Sequence, residues 1–403
     1  MAFAALRGWT PVQKHVVTAS YLGWTLDALD FFLLTFVFTD VAAEFHTSVL
    51  VVATASSLTL IFRPLGAFIF GRLADNYGRR PILMVNIAVY SLLSFSTAFV
   101  PNLSTFLIVR ALFGIGMGGV WGIGSSLAME TVRPESRGFV SGLLQSGYCS
   151  GYIIASIVFG ALYVHIGWRG MFLVGIVPAF LLIPYVWATV PESPLFNRAK
   201  AKGSSIFKVL REHWRLTLYV VLMMTCYNCF SHGTGDLYPT FLRTQHHLVP
   251  AQVGTIAVLF NIAGVLGCWF VAPLSQHFGR RRTMIVGALL VIPCVYIWAF
   301  GSTLTLLTIG AMLVNFFVQG SWSVIPAHLN ELSPREARGT FPGTVYQLGN
   351  LFASYIVPAQ TIIAQHYSYG VALASVTVAA AVAVSLLVWG CREAKNVDLA
   401  HTA

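Results

Sequence analysis

Asn228, Ser231, His232 and Asp236 sit together inside an apolar run, in the stretch from Asn228 to Thr240. At helical spacing Asn228, His232 and Asp236 share one face. A histidine one turn from a carboxylate forms a pH-sensitive pair or a polar binding surface, and burial inside a bilayer favours either role over an inert one. Gly233, Gly235 and Pro239 are expected to unwind or bend this helix, freeing backbone groups that only a water-lined cavity or a ligand satisfies. A second set of charges, Asp27, Asp30, Arg63 and Arg110, also lies within apolar runs. At about 1.5 Å per residue, Arg63 lies about 18 Å from the membrane face near Asp75, and Asp27 and Asp30 about 14 and 18 Å from the same face. Arg110, about 10 Å from the opposite face, is close in depth to Asp30. Two readings stay open for these four groups. They are mutually neutralising structural ion pairs, or one carboxylate titrates while Arg63 holds an anion.

The elements that position them follow from composition. The 403 residues are 57% hydrophobic and only 9% charged, against roughly 25% charged in soluble proteins. Such a chain cannot cover itself with polar side chains, so lipid is its solvent. Runs of about 20 apolar residues cross a bilayer. Twelve are found, near 18–40, 49–73, 81–99, 103–129, 138–164, 170–190, 216–240, 252–275, 283–300, 303–330, 339–364 and 370–390. The first run contains Asp27 and Asp30 and is an uncleaved helix, not a signal peptide. The net charge is +10. With a cytoplasmic N-terminus, 20 of the 24 Lys and Arg fall in cytoplasmic segments, leaving Arg169 and Arg243 outside and Arg63 and Arg110 within spans. The positive-inside rule then places both termini in the cytoplasm, and the basic excess reflects topology and not nucleic-acid binding. The six cysteines are scattered, and Cys226 with Cys229 has no second pair to make a metal site. Gly114 to Gly119 matches GxGxxG but lies inside an apolar helix, where small residues serve close packing. There is no phosphate-binding loop of the GxxxxGK[ST] type, no HExxH and no GxSxG, so neither ATP hydrolysis nor an enzymatic site is expected.

The stretch 71–80 returns at 272–281, and Glu130, Glu135, Arg137 and Gly138 return as Glu331, Glu336, Arg338 and Gly339, both at an offset of 201 residues. One offset shared by two motifs implies an all-α membrane protein of two pseudo-symmetric six-helix halves in parallel topology. The expected boundaries are 1–190 for the N-terminal half, 191–214 for a charged cytoplasmic linker and 215–403 for the C-terminal half.

The loop from Gly71 to Arg80 resembles the signature loop between helices 2 and 3 of the major facilitator superfamily. The segments 133–138 and 191–194 resemble its further cytoplasmic motifs. The resemblance covers the whole chain and implies twelve helices rocking about a central cavity. It also implies a conformational latch in which Asp75 meets Glu130, Arg133 and Arg137, with Gly71, Gly78 and Arg79 in the same loop. Gln276 stands where the second half would repeat Asp75, so a weaker latch is expected there.

Within the superfamily, the helix 7 segment is similar to the N-x-x-[S/T]-H-x-[S/T]-Q-D-x-x-x-T signature of Jen-type monocarboxylate/proton symporters of the sialate:proton symporter group. Asn228, Ser231, His232, Thr234, Asp236 and Thr240 fit, while Gly235 replaces the glutamine. Residues 23–32 of helix 1 resemble the same group, as do Gln347 and Asn350 of helix 11 and Arg63 of helix 2. The resemblance implies a carboxylate site of Arg63, Asn228, Ser231, His232, Gln347 and Asn350, with Asp27, Asp30, Asp236 and Arg110 serving proton coupling. The expected function is proton-coupled symport of a small monocarboxylate such as lactate or pyruvate, with the proton as coupling ion and no other cofactor. The expected partners are the lipid bilayer, a small organic anion and the proton. A monomer in the bacterial inner membrane is expected. A larger acid (sialic, sugar or aromatic), a drug/proton antiport cargo and a non-transporting sensor are the competing readings; no appended soluble domain supports the last.

Overall fold

The computed structural model describes residues 9–133, 136–192, 206–334, 341–390 and 393, with the side chains of Asp75, Ile206 and Phe207 outside that description. Glu135, Glu336, Arg338 and the Asp75 side chain, all singled out above, therefore lie outside the described residues.

The first helix, α1 (Pro11–Thr35), begins where Thr10 and Gln13 exchange hydrogen bonds between side chain and backbone (3.3 and 3.0 Å), with Pro11 pre-set for the first turn. There follow α2 (Val49–Tyr77), α3 (Arg79–Ser96) and α4, which runs as Leu103–Met117 and Val120–Thr131. Next comes one long helix, Arg137–Gly175, divided at Gly167 (φ +64°) into α5 (137–166) and the start of α6, which ends with Val177–Thr189. After a short helix, Ile206–Glu212, the last six are α7 (Trp214–Gly235 and Tyr238–Thr244), α8 (Pro250–Phe278) and α9 (Arg280–Phe300). They are completed by α10 (Leu304–Trp322 and Ile325–Leu332), α11 (Phe341–Ala353 and Ile356–His366) and α12 (Tyr369–Trp389).

Among the described residues, eight helical stretches are long and apolar enough to cross a membrane, and one of them, Arg137–Thr189, holds both α5 and α6. The three remaining crossings are α1, α7 and α11. Their lower apolarity has a physical source: α1 carries Asp27 and Asp30, α7 carries the polar run ending at Asp236, and α11 carries Gln347, Asn350 and Gln360. The helices that fall short as lipid-facing spans all contribute to the centre, α1 through Trp24, α7 through Asn228, Ser231 and His232, and α11 through Tyr346.

The 201-residue repeat is visible in backbone detail. Gly78 (φ +104°) closes α2 and opens α3, and Gly279 (φ +91°) does the same between α8 and α9. That left-handed conformation is costly for any residue with a Cβ. The two halves meet through small residues. A Cβ on Gly254 would stand 2.8 Å from the Gly160 Cα, and one on Gly343 would stand 3.0 Å from the Gly122 Cα. The GxGxxG run packs in the same manner, with Gly114 against the Thr59 backbone and Gly118 against the backbone of Arg63 and Gly66.

Candidate functional site

In the first six helices, Asp27, Asp30 and Arg110 are fully buried and Arg63 is 3% exposed. Arg63 directs Nη2 to Asp27 Oδ2 at 3.4 Å and to the Met117 sulfur at 3.2 Å, and its guanidinium carbon lies 5.5 Å from the centre of the Phe31 ring. Asp30 accepts from the Ser94 hydroxyl at 2.9 Å. The Arg110 guanidinium lies over the Phe113 ring at 4.1 Å, and none of its nitrogens has a hydrogen-bond partner among the described residues. One oxygen each of Asp27 and Asp30 is likewise without one. Buried charges held this sparsely retain their appetite for a proton or a counter-ion.

In the last six helices, His232 Nδ1 lies 3.0 Å from Asp236 Oδ2, one turn further along α7. The α7 helix does not unwind at Gly233 or Gly235, contrary to expectation: the Asp236 amide still donates to the His232 carbonyl at 3.0 Å. The break comes at Leu237, where Pro239 starts the next segment. Two side chains take up carbonyls near the break. Gln360 donates to the Gly233 carbonyl (2.7 Å), and Tyr152 of α5 donates to that of Gly235 (2.9 Å). Gly235 therefore faces Tyr152, whose ring would stand 3.6 Å from a Cβ placed there.

Between the halves lies a void of ≈10 Å³, room for about one water. Its polar side is Gln145, Asn228, Ser231 and His232; its aromatic walls are Trp24, Tyr148, Trp322 and Tyr346. A chain of amides crosses it: Gln145 donates to Gln319 (3.3 Å), which donates to Ser231 (3.2 Å). Asn228 donates to the Tyr346 carbonyl at 3.5 Å. Of the residues singled out from sequence, Asn228, Ser231 and His232 meet here. Arg63 does not line the void; it and His232 both contact the Phe31 ring, each at 5.5 Å from its centre. Gln347 and Asn350 are bonded to each other at 2.8 Å, and Gln347 reaches across to the Gly118 carbonyl at 3.2 Å. The aromatic walls and the two glutamines escaped sequence reading because each looks like an ordinary residue of an apolar helix.

Polar contacts gather at both ends of the bundle. At the basic end, named for Arg79, Arg80 and Arg280 to Arg282, Arg79 pairs with Glu130, and Glu192 accepts from the amides of Arg79 (2.8 Å) and Arg80 (3.3 Å). The same arrangement recurs 201 residues on: Arg280 pairs with Glu331 (2.9 and 3.1 Å), and Glu393 accepts from the amides of Arg280 (2.9 Å) and Arg281 (3.2 Å). The second pair is the more buried, 0% and 4% exposed against 8% and 17%. Beside it, with the Gln276 amide turned to satisfy both groups, its oxygen accepts from Arg280 (3.0 Å) and from the Gly138 amide of the other half (3.1 Å). Arg133 is exposed, Arg137 is buried, and Gly71 lines a small void of ≈30 Å³ with Arg79. At the opposite end Arg243 crosses to the first half, binding Asp40 at 2.7 Å and the Phe36 carbonyl at 3.1 Å, while the Tyr163 hydroxyl also donates to Asp40. Nearby, burial would raise the pKa of Glu44, but hydrogen bonds from Arg169 and Trp168 outweigh it and hold the carboxyl below its usual value.

A family model of the Major Facilitator Superfamily matches residues 21–235 and again residues 233–400. The sialic acid transporter NanX of Escherichia coli is 27% identical over 397 residues, which cover 96% of this chain and 96% of that one. A carboxylic acid transporter protein homolog of Saccharomyces cerevisiae is 29% identical over 394 residues, covering 90% of this chain and 63% of that protein. The crystal structure of the human organic anion transporter MFSD10 superposes with a TM-score of 0.73 at 16% identity, covering 94% of this chain and all of that one, and so shares the fold. With two matched halves, twelve crossings and a polar centre, this chain belongs to the Major Facilitator Superfamily and is a multi-pass membrane transport protein, not an enzyme.

Proposed function

We propose that the protein carries a small monocarboxylate, such as lactate or pyruvate, together with a proton by alternating access. The observation that carries this reading is the buried Arg63 guanidinium, tied to Asp27 by one contact of 3.4 Å and sharing the Phe31 ring with His232 as a neighbour. With both Arg63 and Arg110 charged, Asp27 and Asp30 bring the cluster to zero. A carboxylate that draws Arg63 away from Asp27 leaves an excess negative charge at bilayer depth, and a proton on Asp27 restores neutrality. Anion and proton then cross as a neutral pair. Asn228, Ser231 and His232 would hold the remaining oxygens of the substrate, with Asp236 fixing the His232 ring. The distribution of Lys and Arg supports cytoplasmic termini, and a bacterial inner membrane and a monomeric unit fit this reading.

The test is uptake of labelled lactate into liposomes with and without an inward proton gradient. Empty vesicles and Arg63→Ala protein run alongside, because undissociated lactic acid permeates lipid. Gradient-stimulated uptake above both controls, competed by pyruvate, is the expected result. Full activity of Arg63→Ala would remove the basis of the reading. A second reading, a larger organic acid, is favoured by the four aromatic walls of the void and by the full-length similarity to a sialic acid transporter. It predicts that sialic or aromatic acids compete better than pyruvate.

A further inference from the structure

At the basic end an open cleft of ≈600 Å³ lies between the α8–α9 turn and the end of α12. His277, Arg281 and Arg282 give it a basic wall, while Phe278 and Trp389, 64% and 73% exposed, stand beside it. Its one acidic lining residue, Glu393, already accepts from two backbone amides. Arg281 is committed to the carbonyls of Val388 and Trp389. Arg282 is exposed and forms no ion pair with a described residue. The internal repeat provides a comparison: 201 residues earlier, the positions of His277, Arg282 and Trp389 are occupied by Asn76, Pro81 and Ala188. The turn itself needs only the glycine, the arginine and the glutamate that both halves share. The second half thus carries an extra cation, Arg282, that the turn does not require, while an exposed tryptophan ends the last helix of both halves, Trp187 in the first and Trp389 in the second.

We propose that this cleft binds the headgroup of an anionic phospholipid, with Arg282 facing the phosphate and the exposed rings of Phe278 and Trp389 lying along the upper acyl chain. Cations beside exposed aromatic rings at the end of membrane helices match the charge and polarity profile of a lipid at the interface. The site is separate from the central cavity and does not depend on which solute is carried.

The purified protein is presented with equal amounts of phosphatidylglycerol and phosphatidylcholine, and retained lipid is counted by native mass spectrometry. Phosphatidylglycerol is expected to be retained in preference. One basic residue near an anionic surface corresponds to about a fivefold change in binding, so Arg282→Gln should lower phosphatidylglycerol retention by about that factor. Arg72→Gln, which removes an exposed arginine from the same end of α2, should leave it unchanged. Equal losses in both variants, no loss in Arg282→Gln, or equal retention of the two lipids would overturn the proposal. So would displacement of the lipid by an equal concentration of glycerol 3-phosphate, which would assign the cleft to a soluble phosphate ester.

Discussion

Replacing Asp27 by Asn separates substrate binding from proton coupling. In the wild type the Asp27 carboxylate and the substrate carboxylate compete for Arg63. At 3.4 Å and an effective dielectric constant near 20, the Coulomb attraction between Arg63 and Asp27 is about 5 kcal/mol. The contact is single and long, and the second Asp27 oxygen is unbonded, so the net attraction falls toward the roughly 1.5 kcal/mol at the lower end for a charged hydrogen bond. Asp27→Asn removes the competitor. Substrate should then bind about tenfold more tightly at alkaline pH, where wild-type Asp27 is charged, and the two proteins should converge as the medium is acidified. Accumulation driven by a proton gradient should disappear, because no proton accompanies the anion, while exchange of internal for external substrate should persist. Isothermal titration calorimetry across pH and paired uptake and counterflow assays read both effects. Weaker binding than wild type at alkaline pH, or surviving gradient-driven accumulation, would refute the competition.

Three further outcomes follow from the ion pairs. Arg243→Gln removes the Asp40 contact across the halves and should open the end opposite the basic face, read as increased thiol labelling of a cysteine introduced near Tyr163. Glu331→Gln strands the fully buried Arg280, so its melting temperature in detergent should drop by the equivalent of about 3 kcal/mol, more than for Glu130→Gln at the better hydrated partner site. For Glu44, whose carboxyl is held below its usual 4.5 by Arg169 and Trp168, the stabilisation is complete above that value and is lost as pH falls through the lower folded pKa. Melting temperature should therefore fall more steeply on acidification below pH 4.5 in the wild type than in Glu44→Gln.

The repeat was readable because glycine turns and buried ion pairs constrain residue type locally: Gly78, Arg79 and Glu130 return at Gly279, Arg280 and Glu331. Glu192 and Glu393 share the same spacing; the segment 191–194 drew attention by resemblance, but a lone glutamate such as Glu393 carries no signal until the amides it caps are seen. Polar density in an apolar run singled out Asn228, Ser231 and His232, which meet at the void. Depth along a helix could not say that Arg63 turns to Asp27 while Asp30 turns to Ser94, since the two acids differ by less than one turn. Nor could it pair Arg243 with Asp40, 203 residues apart, because contacts between halves depend on how two rigid bundles dock and leave no local periodicity.

That docking gives the two ends of the bundle different chemistry. The described ion pairs at the basic end, Arg79–Glu130 and Arg280–Glu331, each stay within one half. Among the described residues, Ser141 crosses there, donating to the Ser323 carbonyl (2.7 Å) and accepting from the Ala327 amide (3.0 Å), and Gln276 meets the Gly138 amide. At the opposite end a full ion pair, Arg243–Asp40, bridges the halves. Parting these hydrogen bonds at the basic end exchanges each for water, at roughly 1 kcal/mol net. Parting Arg243 from Asp40 separates two partly buried charges and must hydrate both. That bridge lies outside the repeat, since the positions 201 residues from Asp40 and Arg243 hold Phe241 and Ala42.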